Sequence, residues 1–178
     1  MVSLRLYTTF AYRAINNPLR EQARRQQQGA PLINHPLAVT VARIFDAASR
    51  LRTVEAQSPT ARDTVTLYRG LCDTVVPPEF VAHGGTELAP MSFTRDLDTA
   101  IRFSTNHGEG ARCSTVLRAR TAAAIQRGPD IAYLSVFPSE QESLYPPLTY
   151  LRPLQQTEPV TIASSGLEVR VIDVCFER

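Results

Sequence analysis

Residues 130–150 read DIAYLSVFPSEQESLYPPLTY, and two glutamates one residue apart, Glu140 and Glu142, stand at the centre of this stretch. In an extended segment alternate side chains share a face. Both carboxylates are therefore expected to point the same way, with roughly 6.5 to 7 Å between their backbone positions and Gln141 facing away. Like charges at that spacing repel, so a loop that delivers two acids together is unusual as a purely structural element. Around the pair the order is an apolar run, a turn at Phe137-Pro138-Ser139, the acids, and then Leu144, Tyr145, Pro146 and Pro147. On spacing alone, a solvated acidic loop is the alternative.

The 178 residues are one domain's worth of chain, enough to bury a core without disulfides or a metal. All nineteen basic residues are arginine, since lysine is absent. That removes a Schiff-base lysine, a phosphate-loop lysine and a lysine general base, and leaves anion recognition to arginine forks, backbone amides and hydroxyls. Seventeen acids bring the formal charge to +2, which predicts no strong general attraction to nucleic acid. The charge is uneven, however. Residues 1–52 hold eight arginines against Glu21 and Asp46, while the remainder holds eleven against fifteen acids. Such a basic third is ordinarily a solvated helix surface, and its functional alternative is a docking face.

Cys72, Cys113 and Cys175 are odd in number and widely spaced, which fits neither a disulfide framework nor a metal site and points to a reducing compartment. His35, His83 and His107 have no metal-ligand spacing, and His107 is expected in a solvated loop. The first twenty residues contain no signal-peptide core, and no apolar run is long enough to span a bilayer. A soluble, cytoplasmic chain without a membrane partner is expected, or a segment of a longer one.

In chain order, residues 2–8 are too short to assign. From about Thr9 to Gln28, Tyr12, Ile15, Leu19 and Ala23 recur at helical spacing, with a kink or fresh start expected at Pro18 and an end at Gly29 and Pro31. A second helix is expected with Asn34 as cap, Pro36 in its first turn, and an apolar stripe of Leu37, Val41, Ile44, Phe45, Ala48 and Leu51. Polar residues 53–63 read as a linker. The period then changes. Thr64–Tyr68 has strand composition and is expected to stop at Arg69-Gly70. Pro77-Pro78 opens a short helical turn, Gly84-Gly85 makes a tight turn, and a strand reaches Ser92-Phe93-Thr94. Thr94 is expected to cap a helix over Arg95–Ser104. A loop follows at 106–110, alternation over Cys113–Arg120, a turn at Gly128-Pro129, and a valine-rich last strand over Leu167–Phe176. Helices first and short strands afterwards predict an α+β domain, with a helical front over 1–53 and a β-rich part over 64–178 folded around its own core.

Tyr68-Arg69-Gly70, Ser92-Phe93-Thr94 and Glu140-Gln141-Glu142, the last followed by Leu144 and Pro146-Pro147, stand in an order that resembles the Arg-Ser-Glu class of mono-ADP-ribosyltransferases. This is the arginine-modifying branch with a Glu-x-Glu signature. The likeness covers residues 64–178 in motif order, the run FPSEQESLYPP is its strongest part, and the two helices before it look like that family's helical front. The middle motif departs from the usual Ser-Thr-Ser or Ser-x-Ser, keeping both hydroxyl positions but setting Phe93 between them. The resemblance implies a single domain with a mixed β-sandwich-like core of the ADP-ribosyltransferase type. It also implies NAD as co-substrate, no metal, and a protein acceptor with an exposed arginine. By the same resemblance Glu142 hydrogen-bonds a ribose hydroxyl, Glu140 faces the incoming nucleophile, Ser92 positions Glu142, and Arg69 holds the phosphates and ribose of the dinucleotide. Gly70 lets its backbone approach the nicotinamide amide, and Phe93, Phe103 or Tyr133 stacks on the nicotinamide or, as aromatics at such positions usually do, belongs to the core. Thr94 belongs with the cofactor-binding residues or, more simply, serves as a helix cap, and Phe137 touches the acceptor.

Chemistry asks for groups of this kind. Nicotinamide leaves NAD as a neutral molecule and needs no general acid, whereas the ribose left behind develops oxocarbenium-like charge. One preorganised charged group beside that sugar has a typical effect of about 3 to 4 kcal/mol. A guanidinium is protonated and a poor nucleophile, so a second carboxylate that orients it and takes a proton suits an arginine acceptor. The expected activity is transfer of ADP-ribose from NAD to protein arginines. Its alternatives are an NAD glycohydrolase using the same site and a non-catalytic binding module with a basic helical face.

Overall fold

Apolar residues spaced three and four apart make the amino-terminal third helical. Helix α1 spans Val2–Tyr7, α2 Tyr12–Gln27 and α3 Ala38–Glu55. The computed structural model describes residues 1–71, 74, 76–105, 114–154, 160–164 and 167–177. The stretch too short to assign from sequence thus forms a helix, and it contributes some of the most deeply buried side chains of the front. Leu4 and Tyr7 pack with Ile15, Ile44, Ile131 and Leu144 into one core that joins the helices to the β-rich part. Pro18 lies inside α2 without a fresh helix start. Asn34 does not cap α3, which begins at Ala38 with no side-chain cap. His35 orders the approach instead: its Nδ1 accepts the Leu37 N–H at 2.9 Å, so Nε2 donates to the Ile15 carbonyl at 2.8 Å. Phe45, expected in the apolar stripe, is exposed. Residues 53–63, expected as a linker, complete α3 and add a 3-10 turn over Pro59–Arg62.

The β-rich part comprises β1 (Val65–Leu71), α4 (Pro78–His83), β2 (Gly85–Glu87), β3 (Met91–Thr94), α5 (Leu97–Thr105), β4 (Ser114–Thr121), β5 (Glu142–Tyr145), β6 (Thr149–Pro153), β7 (Val160–Ser164) and β8 (Leu167–Glu177). Its strands form a mixed sheet in the order β2-β6-β8-β4-β1-β3-β5, with β7 also paired to β8. The α+β arrangement is the one expected from the sequence. Strand β1 does not stop at Arg69-Gly70. It pairs with β4 from Val65↔Thr121 to Leu71↔Thr115, which carries the arginine into the middle of a ladder. Leu67, Met91, Phe93, Leu117, Tyr145 and Val174 close a core on one face, while Ala100 of α5 packs with Val116, Val169 and Val171 on another. Cys72, Cys113, His107 and the 106–110 loop lie outside the described residues. No helix among the described residues is long and apolar enough to cross a membrane.

Helix α5 lies so close to β1 that a Cβ on Gly70 would meet the Ala100 carbonyl oxygen at 2.0 Å and the Ser104 nitrogen at 2.7 Å. Both obstacles are helix backbone and cannot swing aside. Gly70→Ala is therefore expected to destabilise the fold by about 1 to 3 kcal/mol, the usual cost of overpacking. Urea unfolding of the variant beside the wild type measures it, and equal midpoints would contradict the close packing.

Candidate active site

Strands β3 and β5 pair with Ser92 opposite Leu144 and Thr94 opposite Glu142. Residues opposite each other on paired strands share a face, so Ser92, Thr94 and Glu142 lie on the side where Leu144 meets the helices. There the Ser92 hydroxyl donates to Glu142 Oε1. Glu142 is only 8% exposed. Burial dominates its ionisation and, with the nearby Glu140 charge, pushes its pKa up to about 7, against the pull of the Ser92 hydroxyl and Arg69.

Glu140 is not on an extended segment with Glu142. Pro138–Glu140 form a 3-10 turn, and Gln141 takes a left-handed conformation with φ 46° and ψ 51°. For a residue with a Cβ that conformation costs on the order of 1 to 2 kcal/mol. A contact across the loop offsets part of this: the Thr94 hydroxyl donates to the Glu140 carbonyl at 2.6 Å. Helix α5 begins only at Leu97, so Thr94, whose Oγ1 also accepts the Asp96 N–H at 3.0 Å, stands too early to cap it. That role falls to Asp96, whose Oδ2 accepts the Thr99 N–H at 2.9 Å and the Thr99 hydroxyl at 2.5 Å. Glu140 is half-buried, and burial raises its pKa while the charge of Arg102 opposes the rise.

Arg69 leaves β1 on the face of Leu67 and Leu71, and its Nη1 donates to the Ser92 carbonyl at 2.8 Å. Arg69, Ser92 and Glu142 are thus gathered at one place by two contacts through Ser92. Burial lowers the pKa of the Arg69 guanidinium, with Tyr7, Glu87 and Glu142 acting against it.

Four residues that the motifs did not reveal complete the surroundings. Tyr7 of α1 donates to the Pro90 carbonyl at 2.9 Å, accepts from Asn16 Nδ2 at 3.3 Å and lies 3.5 Å from Ser92 Oγ. Burial raises the pKa of its phenol. Asn16 of α2 is buried, and its Oδ1 has no hydrogen-bond partner among the described residues. Arg20 of α2 forks Glu87 at 3.1 and 2.9 Å, and the Ala89 N–H reaches Glu87 Oε1 at 3.0 Å. Burial works against the charge on Glu87, but Arg20, the Ala89 amide and Arg69 outweigh it and hold its pKa below the usual value. The available sequence signal was a polar Asn16 next to Ile15 in the apolar phase of a helix; nothing in residues 2–8 marked Tyr7.

The aromatic candidates separate. Phe93 is 1% exposed, its ring edge-on to Tyr145 and Phe176 at centroid distances of 5.4 and 5.3 Å. It points to the opposite face from Ser92 because β3 is extended, so the expected stacking role does not fit it. Phe103, Tyr133 and Phe137 are exposed. Gly70 turns its α-carbon to α5. A cavity of about 200 Å³ opens beside Arg69, lined by Val76, Phe80, Glu87, Met91 and Leu151 among others. No group of His, Cys, Asp and Glu among the described residues is placed to hold a metal.

This architecture matches that of the ADP-ribosyltransferase HopU1 of Pseudomonas syringae pv. tomato with a TM-score of 0.59 at 23% identity, over 92% of this chain and 64% of that one. The chain has the ADP-ribosyltransferase fold. Plx2a, an ADP-ribosyltransferase toxin from Paenibacillus larvae, matches with a TM-score of 0.63 at 16% identity, over 99% of this chain and 85% of the toxin. Exoenzyme S of Pseudomonas aeruginosa matches with a TM-score of 0.54 at 20% identity, over 96% and 70%. The chain spans a little under two thirds of the HopU1 structure. No protein-family model matches it, and no curated protein matches it in sequence. Within this example of the ADP-ribosyltransferase fold, β1, β3 and β5 lie side by side and carry Arg69, Ser92 and Glu142.

The raised pKa of Glu142 has a consequence for stability. Between its ordinary value of 4.5 and about 7 the folded chain holds more protons than the unfolded one, so this residue makes stability fall as pH rises through that window. Glu142→Gln removes the effect. Urea unfolding from pH 4.5 to 7.5 is expected to show the variant gaining on the wild type by up to about 3 kcal/mol. A pH-independent difference would show that the carboxyl is not desolvated as described.

Proposed function

We propose that the chain is an NAD-dependent mono-ADP-ribosyltransferase that moves ADP-ribose from NAD to arginine side chains of proteins and releases nicotinamide. The observation that carries this reading is Glu142, a buried carboxylate held by Ser92 and flanked by Arg69 within an ADP-ribosyltransferase fold. As the bond from ribose C1′ to the nicotinamide nitrogen breaks, its electron pair neutralises the pyridinium ring and positive charge moves to the sugar. An anionic Glu142 in a poorly hydrated position stabilises that charge more strongly than it would in water. A bound cationic nicotinamide favours the ionised carboxylate, which counteracts the effect of burial.

Arg69 is suited to the phosphates and ribose, because a guanidinium fork stays charged while one of its donors remains on the Ser92 carbonyl. Exoenzyme S, of the same fold, has been crystallised with carba-NAD. Glu140 stands on the turn before β5, where it can orient an incoming guanidinium and accept its proton, with exposed Phe137 beside it for the acceptor. The ADP-ribosyltransferase Vis, with a TM-score of 0.50 and 20% identity to this chain, has been crystallised with agmatine, a guanidino amine.

Glu142→Gln is expected to lower nicotinamide release by about 10²- to 10³-fold, the usual loss for one electrostatic group, with an unchanged circular dichroism spectrum. An undiminished rate refutes the assignment. In the wild type, kcat/KM for NAD is expected to rise with pH through an apparent pKa near 7, the value of the free Glu142 carboxyl. Glu140→Gln separates the roles: nicotinamide release should persist while transfer to agmatine is lost. Equal loss of both would place Glu140 in bond breaking, and release without transfer in the wild type would identify a glycohydrolase.

A further inference from the structure

We propose that Arg102 is a self-modification site, an in-cis acceptor whose guanidinium takes ADP-ribose beside Glu140. This rests on the transferase reading and names one acceptor for it. A continuous hydrogen-bond ladder joins the two residues. The Thr94 hydroxyl donates to the Glu140 carbonyl at 2.6 Å, and the Asp96 N–H donates to Thr94 Oγ1 at 3.0 Å. Thr99 donates its amide and hydroxyl to the Asp96 carboxylate, and Arg102 Nη2 donates to Thr99 Oγ1 at 2.7 Å. Residues 96, 99 and 102 follow at three-residue spacing and share one face of α5, which is joined through Thr94 to the main chain of Glu140.

The charges agree with this placement, since Arg102 is the cation whose field Glu140 feels. Seven other arginines, among them Arg20, Arg95 and Arg118, lie within 4 Å of a carboxylate, whereas Arg102 has no ion pair among the described residues. It is also exposed, on a long flexible stem. In the step, the bond from C1′ to nicotinamide breaks with its electron pair returning to the pyridine ring. A terminal nitrogen of Arg102 bonds to C1′, and the proton it releases passes to Glu140. The products are nicotinamide, a proton and a chain bearing an N-glycosidic ADP-ribose.

Incubating the purified full chain with NAD labelled in its adenosine, without added acceptor, tests this while nicotinamide release is followed in parallel. Peptide mapping should place the label on Arg102, and the fraction labelled per unit time should be the same across about a tenfold dilution of the protein. Arg102→Lys, with folding checked by circular dichroism, should lose the label. Nicotinamide release without label on Arg102, labelling that slows on dilution, or undiminished labelling of Arg102→Lys each overturns the inference and leaves the transferase reading standing. Absence of nicotinamide release overturns that reading, and the inference with it.

Discussion

A hydroxyl on β3 meeting a carboxylate on β5 is the contact around which the rest is arranged. Desolvating a carboxylate is costly unless hydrogen bonds or opposite charge compensate. At Glu142 the compensation is partial: Ser92 donates, Arg69 contributes charge through the same locality, and Glu140 works against both. The balance leaves the group near the point where it gains or loses its proton around neutrality. A group so poised responds strongly to a cation placed against it, which makes the site electrostatically incomplete by itself.

The helical front helps to bury that contact. Tyr7 reaches from α1 to the Pro90 carbonyl at the approach to β3, and Asn16 of α2 donates to both the Tyr7 oxygen and the same carbonyl. Through Leu4, Ile15 and Ile44 the three helices share one core with Leu144, two residues after Glu142. Burial of the carboxylate is therefore a property of helix packing as much as of the sheet. The Arg20–Glu87 fork extends the same logic to β2, setting an acid near Arg69 that is already committed to a cation of its own.

The two glutamates differ because their backbones differ. Glu142 is in register with Thr94 and inherits the burial of a strand, whereas Glu140 sits in a turn that reverses at Gln141. Alternation in an extended chain would have made the two equivalent. The turn makes one buried and the other half-exposed.

Much of this was legible in the chain alone. Spacing of apolar residues gave the helical front, strand composition and alternation gave β1, β3, β4 and β8, and the family resemblance carried by the order of Arg69, Ser92 and the Glu140–Glu142 pair pointed to one site. The helices and strands are local features, set by side chains a few positions apart. What the tertiary structure decided depends on residues distant in sequence. Phe93 belongs to the core because Tyr145 and Phe176 close over it, Gly70 answers to the backbone of α5, and Thr94 bonds Glu140 instead of capping a helix. Tyr7 stands beside Ser92 across 85 residues of chain. A sequence records which groups are present and their local periodicity, while desolvation and hydrogen bonding between distant segments exist only once the chain has folded.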